Sequence, residues 1–344
     1  MILASLSTAA LFALFGAAAL VVWWAGRQLP ALAAALAARF GLGQVFAGML
    51  LLGGITSLPE LATASSAAAF GAPVLALNNA LGSAAFNILL LALADIVLGR
   101  SALTAVIARS ATLLQGVLGM LLLAAAAAVL IAGDAAVPFV GVGVGSSFLF
   151  GACLGAMWIA AQYETRPAWV VAGQSAPVAD EAQADEAEPP APLPRFALLG
   201  ALILAAGIVL SQSADAIADR TGLGEGLVGL VLLAAATSLP ELSVIVAAVR
   251  AGRCELAVGD IFGANLFNVA MIFVIDLAAP GPPVLGAGGA FEALAALLAM
   301  LLTGIFVLGL IERRDRTVLR MGYDSLAAIL VYGAGLVLLT GLAR

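Results

Sequence analysis

Long apolar runs, separated by short polar breaks, fill almost the whole sequence. Most runs last about 20 residues, the length that an α-helix needs to cross a hydrocarbon layer about 30 Å thick. In lipid a helix satisfies its own backbone polar groups, whereas a membrane β-barrel would show short strands of alternating polarity. The pattern predicts an all-α polytopic membrane protein with ten transmembrane helices, at about 2–26, 44–70, 73–98, 104–131, 138–161, 196–213, 225–250, 255–279, 287–311 and 323–342.

One long hydrophilic stretch interrupts this pattern, at 162–194, between the fifth and the sixth run. It is acidic and ends in a proline-rich segment, which is the composition of a disordered linker. A cation-sensing role for its acids is an alternative, but a solvated linker is the simpler interpretation. The linker divides the chain into two halves, 1–161 and 195–344, each with five predicted helices.

Composition agrees with a membrane protein and narrows the available chemistry. The chain is 64% hydrophobic and 10% charged, against roughly 25% charged residues in a soluble domain. Histidine is absent, which removes imidazole as a metal ligand or a proton relay. Cys153 and Cys254 lie too far apart in sequence for a redox or metal motif and are expected to be small packing residues. We expect the lipid bilayer and inorganic cations as partners, and no nucleic acid.

The arginines predict how the chain is oriented in an inner membrane. All 14 basic residues are arginines. If the N-terminus is external, all but Arg220 and Arg344 lie in cytoplasmic loops, which is a strong positive-inside bias. Both termini are therefore predicted to be external, and the 162–194 linker to be cytoplasmic. The cytoplasmic set is Arg27, Arg39, Arg100, Arg109, Arg166, Arg195, Arg250, Arg253, Arg313, Arg314, Arg316 and Arg320.

An internal repeat is the strongest signal in the sequence. When Thr56 is superimposed on Thr237, T-S-L-P-E-L at 56–61 matches the same six letters at 237–242, and Phe-Asn at 86–87 falls on Phe-Asn at 267–268 without a gap. Five helices are an odd number, so the second copy enters the membrane from the opposite side. The expected architecture is a pair of inverted five-helix repeats, with the binding site of a secondary transporter near the membrane midplane.

Both copies of the repeated motif place a proline inside an apolar run. Pro59 cannot donate a hydrogen bond to the carbonyl of Ile55, and Pro240 cannot donate to that of Ala236. A broken helix is tolerated in lipid where the freed carbonyls line a cavity or bind an ion. Each break is flanked by a Thr, a Ser and a Glu, whose oxygens suit hard cations such as Ca²⁺ and Na⁺.

Glu60 and Glu241 are the leading candidates for the site. A carboxylate at mid-membrane costs several kcal/mol on its own, so such residues are functional candidates by default. Two ionised glutamates would neutralise one Ca²⁺. The alternative is a pair of protonated glutamates that hydrogen-bond between helices, which does not explain why both copies stand beside broken turns.

The paired motifs resemble the two α-repeats of the sodium/calcium exchanger superfamily. The first copy reads G-I-T-S-L-P-E-L and then G-S-A-A-F-N; the second reads A-A-T-S-L-P-E-L and then G-A-N-L-F-N. The resemblance implies a central Ca²⁺ site and flanking Na⁺ sites, with backbone carbonyls near Gly53 and Ala234. The side chains that it implies are Glu60, Glu241, Thr56 and Thr237 for Ca²⁺, Ser57, Ser238 and Ser83 for Na⁺, and Asn87 as a further ligand.

The second copy departs from the family pattern. Sodium-coupled members often carry an Asp where this chain has Asn268 and a Ser where it has Ala264, which predicts one weakened sodium position. Asn268 remains a candidate ligand. Asp260 lies two turns before it and is a further candidate, against the alternative of a helix-start carboxylate favoured by the helix dipole.

Three other acids lie near the ends of predicted helices. Asp95 and Asp276 are equivalent in the same ungapped alignment of the two copies, and Glu292 starts the ninth helix. All three are expected to lie at the membrane interface.

The function that follows is secondary antiport of Ca²⁺ against Na⁺, by alternating access around the paired glutamates. The main alternative is a proton-coupled Ca²⁺ antiporter. The resemblance favours sodium, because proton-coupled members usually carry a Glu-His pair where this chain has Glu-Leu. A passive channel and an intramembrane hydrolase with paired carboxylates are further alternatives, and no water-activating partner for the hydrolase is visible. We therefore expect a transporter that is not an enzyme, without a cofactor.

Overall fold

The computed structural model describes residues 6–28, 53–99, 101–107, 110–138, 141–164, 193–250, 252 and 254–342. Within them, eight helices are long and apolar enough to span a membrane. They are α1 (Thr8–Gly26), α4 (Pro73–Leu98), α6 (Ser110–Ala132), α7 (Val144–Glu164), α8 (Leu193–Thr221), α12 (Cys254–Ala278), α14 (Ala290–Glu312) and α15 (Tyr323–Leu342). The protein is thus a helical polytopic membrane protein.

Shorter elements complete the fold. In the second motif region, α9 (Gly224–Leu227), the π-helix Val228–Leu233, α10 (Ala234–Thr237) and α11 (Leu239–Arg250) together form one bent candidate span. The described part of the first motif region holds α2 (Gly53–Thr56) and α3 (Leu58–Ala69). Short helices α5 (Leu103–Val106) and α13 (Val284–Ala287) and the strands β1 (Thr317–Val318) and β2 (Met321–Gly322) fill the connections.

Several predicted helix boundaries were wrong. The fourth helix begins at 110 and not at 104, because α5 forms a separate turn before it. The sixth helix continues well beyond its predicted end at 213, as far as Thr221, because the polar residues after 211 belong to an alanine-rich segment that remains helical and stops at Gly222, where φ is 67°. Residues 44–52 of the predicted second helix and 165–192 of the predicted linker lie outside the described residues.

Local sequence explains where α4 begins and ends. Pro73 occupies the first helical turn, where an absent N–H removes no hydrogen bond. Gly99 follows the last residue with a φ of 70°, a left-handed conformation that glycine adopts without a steric penalty. In the same way, α1 is capped by Ser7, whose hydroxyl accepts from the N–H of Ala10 at 3.2 Å.

Helices α4 and α12 form the centre of the bundle. About two thirds of each apolar window is buried, 67% for α4 and 72% for α12, against 22% for the peripheral α15. The two helices pack against each other, and α3 packs against both. This central position is important because most of the predicted polar site residues lie on these three helices and on the neighbouring α10 and α11.

Close helix packing at the centre depends on glycine. A Cβ atom on Gly82 of α4 would lie only 2.6 Å from the Cα atom of Leu230 in the π-helix, closer than side-chain carbons pack. The π-helix was not predicted from the sequence. Such segments disturb the regular helical hydrogen bonds and often occur near functional sites.

Two short hairpins precede α7 and α15. In the second, Thr317 pairs with Gly322 just before α15. In the first, Ala136 pairs with Gly143 just before α7. The alignment that superimposes Thr56 on Thr237 also superimposes Ala136 on Thr317, so the first residues of the two pairings are equivalent in the sequence repeat, although their partners Gly143 and Gly322 are two positions out of register.

Candidate ion-binding site

The residues predicted to bind cations are all buried. None exposes more than 6% of its surface, although together they carry three carboxyl groups and seven other polar side chains. Such a concentration of polar groups in a membrane bundle requires either internal partners or a bound ion. The set is Thr56, Ser57, Glu60, Ser83, Asn87, Thr237, Ser238, Glu241, Asp260 and Asn268.

Both motif glutamates lie in the first turn of a helix that follows a break. The first break is at Ser57, between α2 and α3, and Glu60 follows in the first turn of α3. The second is at Ser238, where the axis bends by 47°, and Glu241 follows in the first turn of α11. Unpaired N–H groups make a helix N-terminus favourable for negative charge. The prolines therefore do more than bend the chain, because they place each glutamate at such a terminus.

The two motif regions contact each other directly. The hydroxyl of Ser238 donates to Oε1 of Glu60 at 3.2 Å, and Thr237 also interacts with this carboxylate. Two residues of the second motif thus hold the glutamate of the first. The sequence motif predicted that both regions would form one site, and this contact brings them together.

Asn79 connects the same two regions, and it was not among the site residues predicted from the sequence. Its Nδ2 donates to the hydroxyl of Thr63 at 3.2 Å, and its Oδ1 accepts from the hydroxyl of Thr237 at 3.4 Å. Asn79 and Asp260 fall on each other when the two copies are aligned, so they are equivalent positions of the repeat. Extending the repeat alignment to every polar position would have identified Asn79 as a candidate.

Asp260 is a third buried acid and lies on α12. Its carboxylate is within electrostatic range of both Glu60 and Glu241. Among the described residues, neither carboxylate oxygen of Asp260 or of Glu241 has a hydrogen-bond partner, and Oε2 of Glu60 has none either. Five carboxylate oxygens of these three buried acids are therefore satisfied by no described protein group.

Amide side chains of the two central helices form hydrogen bonds with each other and with the backbone. Nδ2 of Asn87 donates to Oδ1 of Asn265 at 3.0 Å, and Nδ2 of Asn265 donates to the carbonyl of Ala84 at 3.0 Å. Asn265 follows Ala264, where the sequence lacks the family's serine, and sequence reasoning did not select it. Within the described chain, the hydroxyl of Ser83 and the amide of Asn268 have no partner.

The chemistry of this centre suits a hard cation. Carboxylate, hydroxyl and amide oxygens are the ligands that Ca²⁺ and Na⁺ prefer. No cluster of three or more Asp, Glu, His or Cys side chains with metal-binding geometry occurs in the part of the chain that the structure describes. A cation at this centre would therefore draw on hydroxyl and amide oxygens as well as on the carboxylates.

The three acids expected at the membrane interface are buried within the protein. Asp95 and Asp276 are at helix ends, as predicted, but expose only 0% and 5% of their surface. Glu292 is also buried and accepts from Nδ2 of Asn78 at 2.8 Å. Neighbouring segments cover these acids and supply hydrogen-bond donors, which the sequence did not predict.

Fold and site together define a class of protein. Membrane-spanning helices surround broken helical turns and buried acids, the architecture of a membrane ion transporter. Comparison with protein families agrees: the family described as "Sodium/calcium exchanger protein" matches residues 10–162 and 193–341. The chain belongs to this family, which consists of exchangers and not of enzymes.

Individual relatives cover most of the chain. It is 31% identical over 318 residues to "Putative antiporter CaxA" of Alkalimonas amylolytica, covering 90% of this chain and 93% of that protein. It is 32% identical over 267 residues to "Inner membrane protein YrbG" of Escherichia coli, covering 76% of this chain and 78% of that protein. Among solved structures, the sodium-calcium exchanger NCX_Mj has the same fold, with a TM-score of 0.62 at 18% identity over 96% of this chain and 99% of that one.

Proposed function

We propose that this protein is a secondary antiporter that exchanges Ca²⁺ for Na⁺ across the inner membrane, by alternating access around Glu60 and Glu241. The observation that carries the proposal is the hydrogen bond from Ser238 to Glu60, together with the unsatisfied oxygens of Glu241 and Asp260 in the described structure. Unpaired buried acids are costly, and a bound cation would offset that cost. The names of relatives support antiport, since one is called a putative antiporter.

We assign the ligands in two groups. Glu60 and Glu241, with Thr56 and Thr237, form the proposed Ca²⁺ site. The flanking oxygens would serve Na⁺, and Asp260 adds a third carboxylate that the broken-helix motif does not contain. The flanking group consists of Ser57, Ser238, Ser83, Asn87, Asn268 and Asp260.

We also propose the architecture of ten helices as two inverted halves, 1–161 and 195–344, joined by a cytoplasmic linker at 162–194, with both termini external. The equivalent hairpins before α7 and α15 support this repeat. The described helices supply eight spans and one bent span. The tenth would be completed by α3 and residues preceding 53.

Purified protein in liposomes tests the function. We expect Ca²⁺ uptake to be driven by an outward Na⁺ gradient, and Glu60→Gln or Glu241→Gln to abolish it while the protein remains folded. Glu312→Gln is the matched control, because Glu312 is 55% exposed and paired with Arg314. Near-normal uptake by either folded site variant would contradict the assignment.

A second arm of the experiment replaces the Na⁺ gradient with a pH gradient. Three buried carboxyl groups could also carry protons, which is the observation that keeps the proton-coupled alternative. Uptake with the pH gradient alone would favour proton coupling. Uptake down a Ca²⁺ gradient only, with no uphill movement under either gradient, would indicate a channel.

A further inference from the structure

A buried aspartate joins the two halves at one face of the bundle. Asp95 lies in the last turn of α4, and one carboxylate oxygen accepts from the N–H of Leu103 at 2.7 Å. The other oxygen accepts from the N–H of Gly322 and from the hydroxyl of Ser325, both at 2.6 Å. Gly322 and Ser325 flank the start of α15. The end of α4 is therefore bound to the beginning of the last helix of the opposite half.

The same arrangement occurs at Asp276, in the last turn of α12. One oxygen accepts from the N–H of Val284 at 2.5 Å. The other accepts from the N–H of Gly143 at 2.9 Å and from the hydroxyl of Ser146. Gly143 and Ser146 flank the start of α7, the last helix of the first half. We call these two sets of hydrogen bonds the Asp95 clasp and the Asp276 clasp.

The two clasps are equivalent in sequence and cross over between the halves. In the ungapped repeat alignment Asp95 falls on Asp276 and Leu103 on Val284, whereas the Gly-x-x-Ser segments at 143–146 and 322–325 are out of that register by two positions. Because of this offset, an ungapped alignment of the two copies does not superimpose the two Gly-x-x-Ser segments. Each aspartate binds its own half through one N–H and the opposite half through an N–H and a hydroxyl.

Electrostatics explains why an acid occupies these positions. Neither aspartate forms an ion pair with an arginine of the described chain. Each instead receives three donors, two of which flank a helix N-terminus, where backbone dipoles favour negative charge. A fully hydrogen-bonded buried network of this kind fixes one geometry, because displaced partners would leave a charge unsatisfied.

The helices held by the clasps carry the polar groups of the ion-binding site. Asn79, Ser83 and Asn87 lie on α4, and Asp260, Asn265 and Asn268 lie on α12. Each aspartate follows the last of these residues by eight positions, about 12 Å along the helix axis. α15 packs against α4, and α7 packs against α12. A clasp therefore fixes a ligand-bearing helix against the opposite half.

We propose that Asp95 and Asp276 are positioning residues, which set the cation affinity of the site by holding α4 and α12 in register with the opposite half. The proposal rests on the proposed function, because it takes the buried centre as the cation site. Neither aspartate touches the ion. Supporting partners that orient metal ligands typically change metal affinity by about tenfold or more when they are removed.

Two adjacent serines provide a matched test. The hydroxyl of Ser146 binds Asp276 and the carbonyl of Gly143, whereas that of Ser147 binds only the carbonyl of Gly143, at 2.7 Å. We expect Ser146→Ala to weaken Ca²⁺ binding to the purified protein by about tenfold, and Ser147→Ala to leave it unchanged. Ser325→Ala should weaken binding as Ser146→Ala does, and Asp95→Asn and Asp276→Asn should weaken it more.

A double-mutant cycle then separates positioning from general destabilisation. Asp95→Asn and Ser325→Ala belong to one clasp, so their effects on Ca²⁺ affinity should not add. Asp95→Asn and Ser146→Ala belong to different clasps, and their effects should be closer to additive. If an aspartate variant fails to fold, the serine variants, each of which removes one bond of three, still decide the question.

The possible results distinguish this proposal from the proposed function. If the unaltered protein binds no Ca²⁺ by calorimetry, the proposed function fails. If it binds Ca²⁺ and the folded Ser146→Ala and Ser325→Ala proteins bind equally well, the positioning role is overturned. A lower melting temperature with unchanged Ca²⁺ affinity would overturn it too, because the clasps would then be structural only.

Discussion

The hydroxyl of Ser238 donates a 3.2 Å hydrogen bond to Oε1 of Glu60, across 178 residues of sequence. The serine belongs to the second copy of the repeated motif and the glutamate to the first. Both oxygens of Glu241, the equivalent glutamate, have no hydrogen-bond partner within the described residues. The sequence repeat is therefore not matched by identical contacts, and Glu60 is the glutamate held in place in this structure.

Removing this hydroxyl should weaken Ca²⁺ binding without unfolding the protein. A hydrogen bond to a charged group contributes about 1.5–3 kcal/mol, so Ser238→Ala should raise the dissociation constant by roughly tenfold or more. Ser213→Ala is the control, since Ser213 is equally buried but binds only carbonyls of its own helix. Isothermal titration of both variants provides the measurement, and equal affinities would argue against a role for the contact.

Asp260→Asn should change stability and affinity in opposite directions. The substitution removes one of three neighbouring negative charges, so the cation-free protein should melt at a higher temperature. The same loss of charge should reduce Ca²⁺ affinity by about tenfold. Asp219→Asn, on an exposed residue of α8, controls for the chemical change. An unchanged Ca²⁺ affinity of Asp260→Asn would exclude Asp260 from the cation site.

Pro240→Ala tests whether the broken helix is needed for function. Alanine restores an N–H that can donate to the carbonyl of Ala236, so that α10 and α11 can join across Ser238 into one continuous helix. We expect the melting temperature of the variant to be no lower than that of the unaltered protein. Its Ca²⁺ affinity should be lower, because the 47° bend should straighten. Pro73→Ala, in the first turn of α4, should affect neither property. Full transport by Pro240→Ala would contradict this view of the bend.

Cysteine labelling tests the inverted repeat directly. Ala136 and Thr317 are equivalent, exposed hairpin residues. In a background without the buried Cys153 and Cys254, Thr317→Cys should react with an impermeant maleimide only from the cytoplasmic side, and Ala136→Cys only from outside. Labelling of both from one side would refute inversion, and exchanged sides would reverse the predicted orientation.

The sequence by itself determined the membrane class, the family and the two broken turns. These features depend on local signals: the length of an apolar run, a proline inside it, and a glutamate that hydrocarbon would not tolerate alone. Such signals persist wherever the segment is placed. For the same reason, the predicted bounds of α4 and α15 agree with the structure; those of α4 are marked locally by Pro73 and Gly99.

Only the tertiary structure decided which polar groups meet. Asn265 has no counterpart among the repeated polar positions, and Asn79 is marked only by its alignment with Asp260. Their contacts with Asn87 and Thr237 depend on how α4 packs against its neighbours. Asp95 and Asp276 lie at helix ends, where sequence favours exposure. They are buried because α15 and α7 pack against α4 and α12 and, with the residues just before them, supply hydrogen-bond donors. Packing between segments so distant in sequence leaves no local pattern to detect.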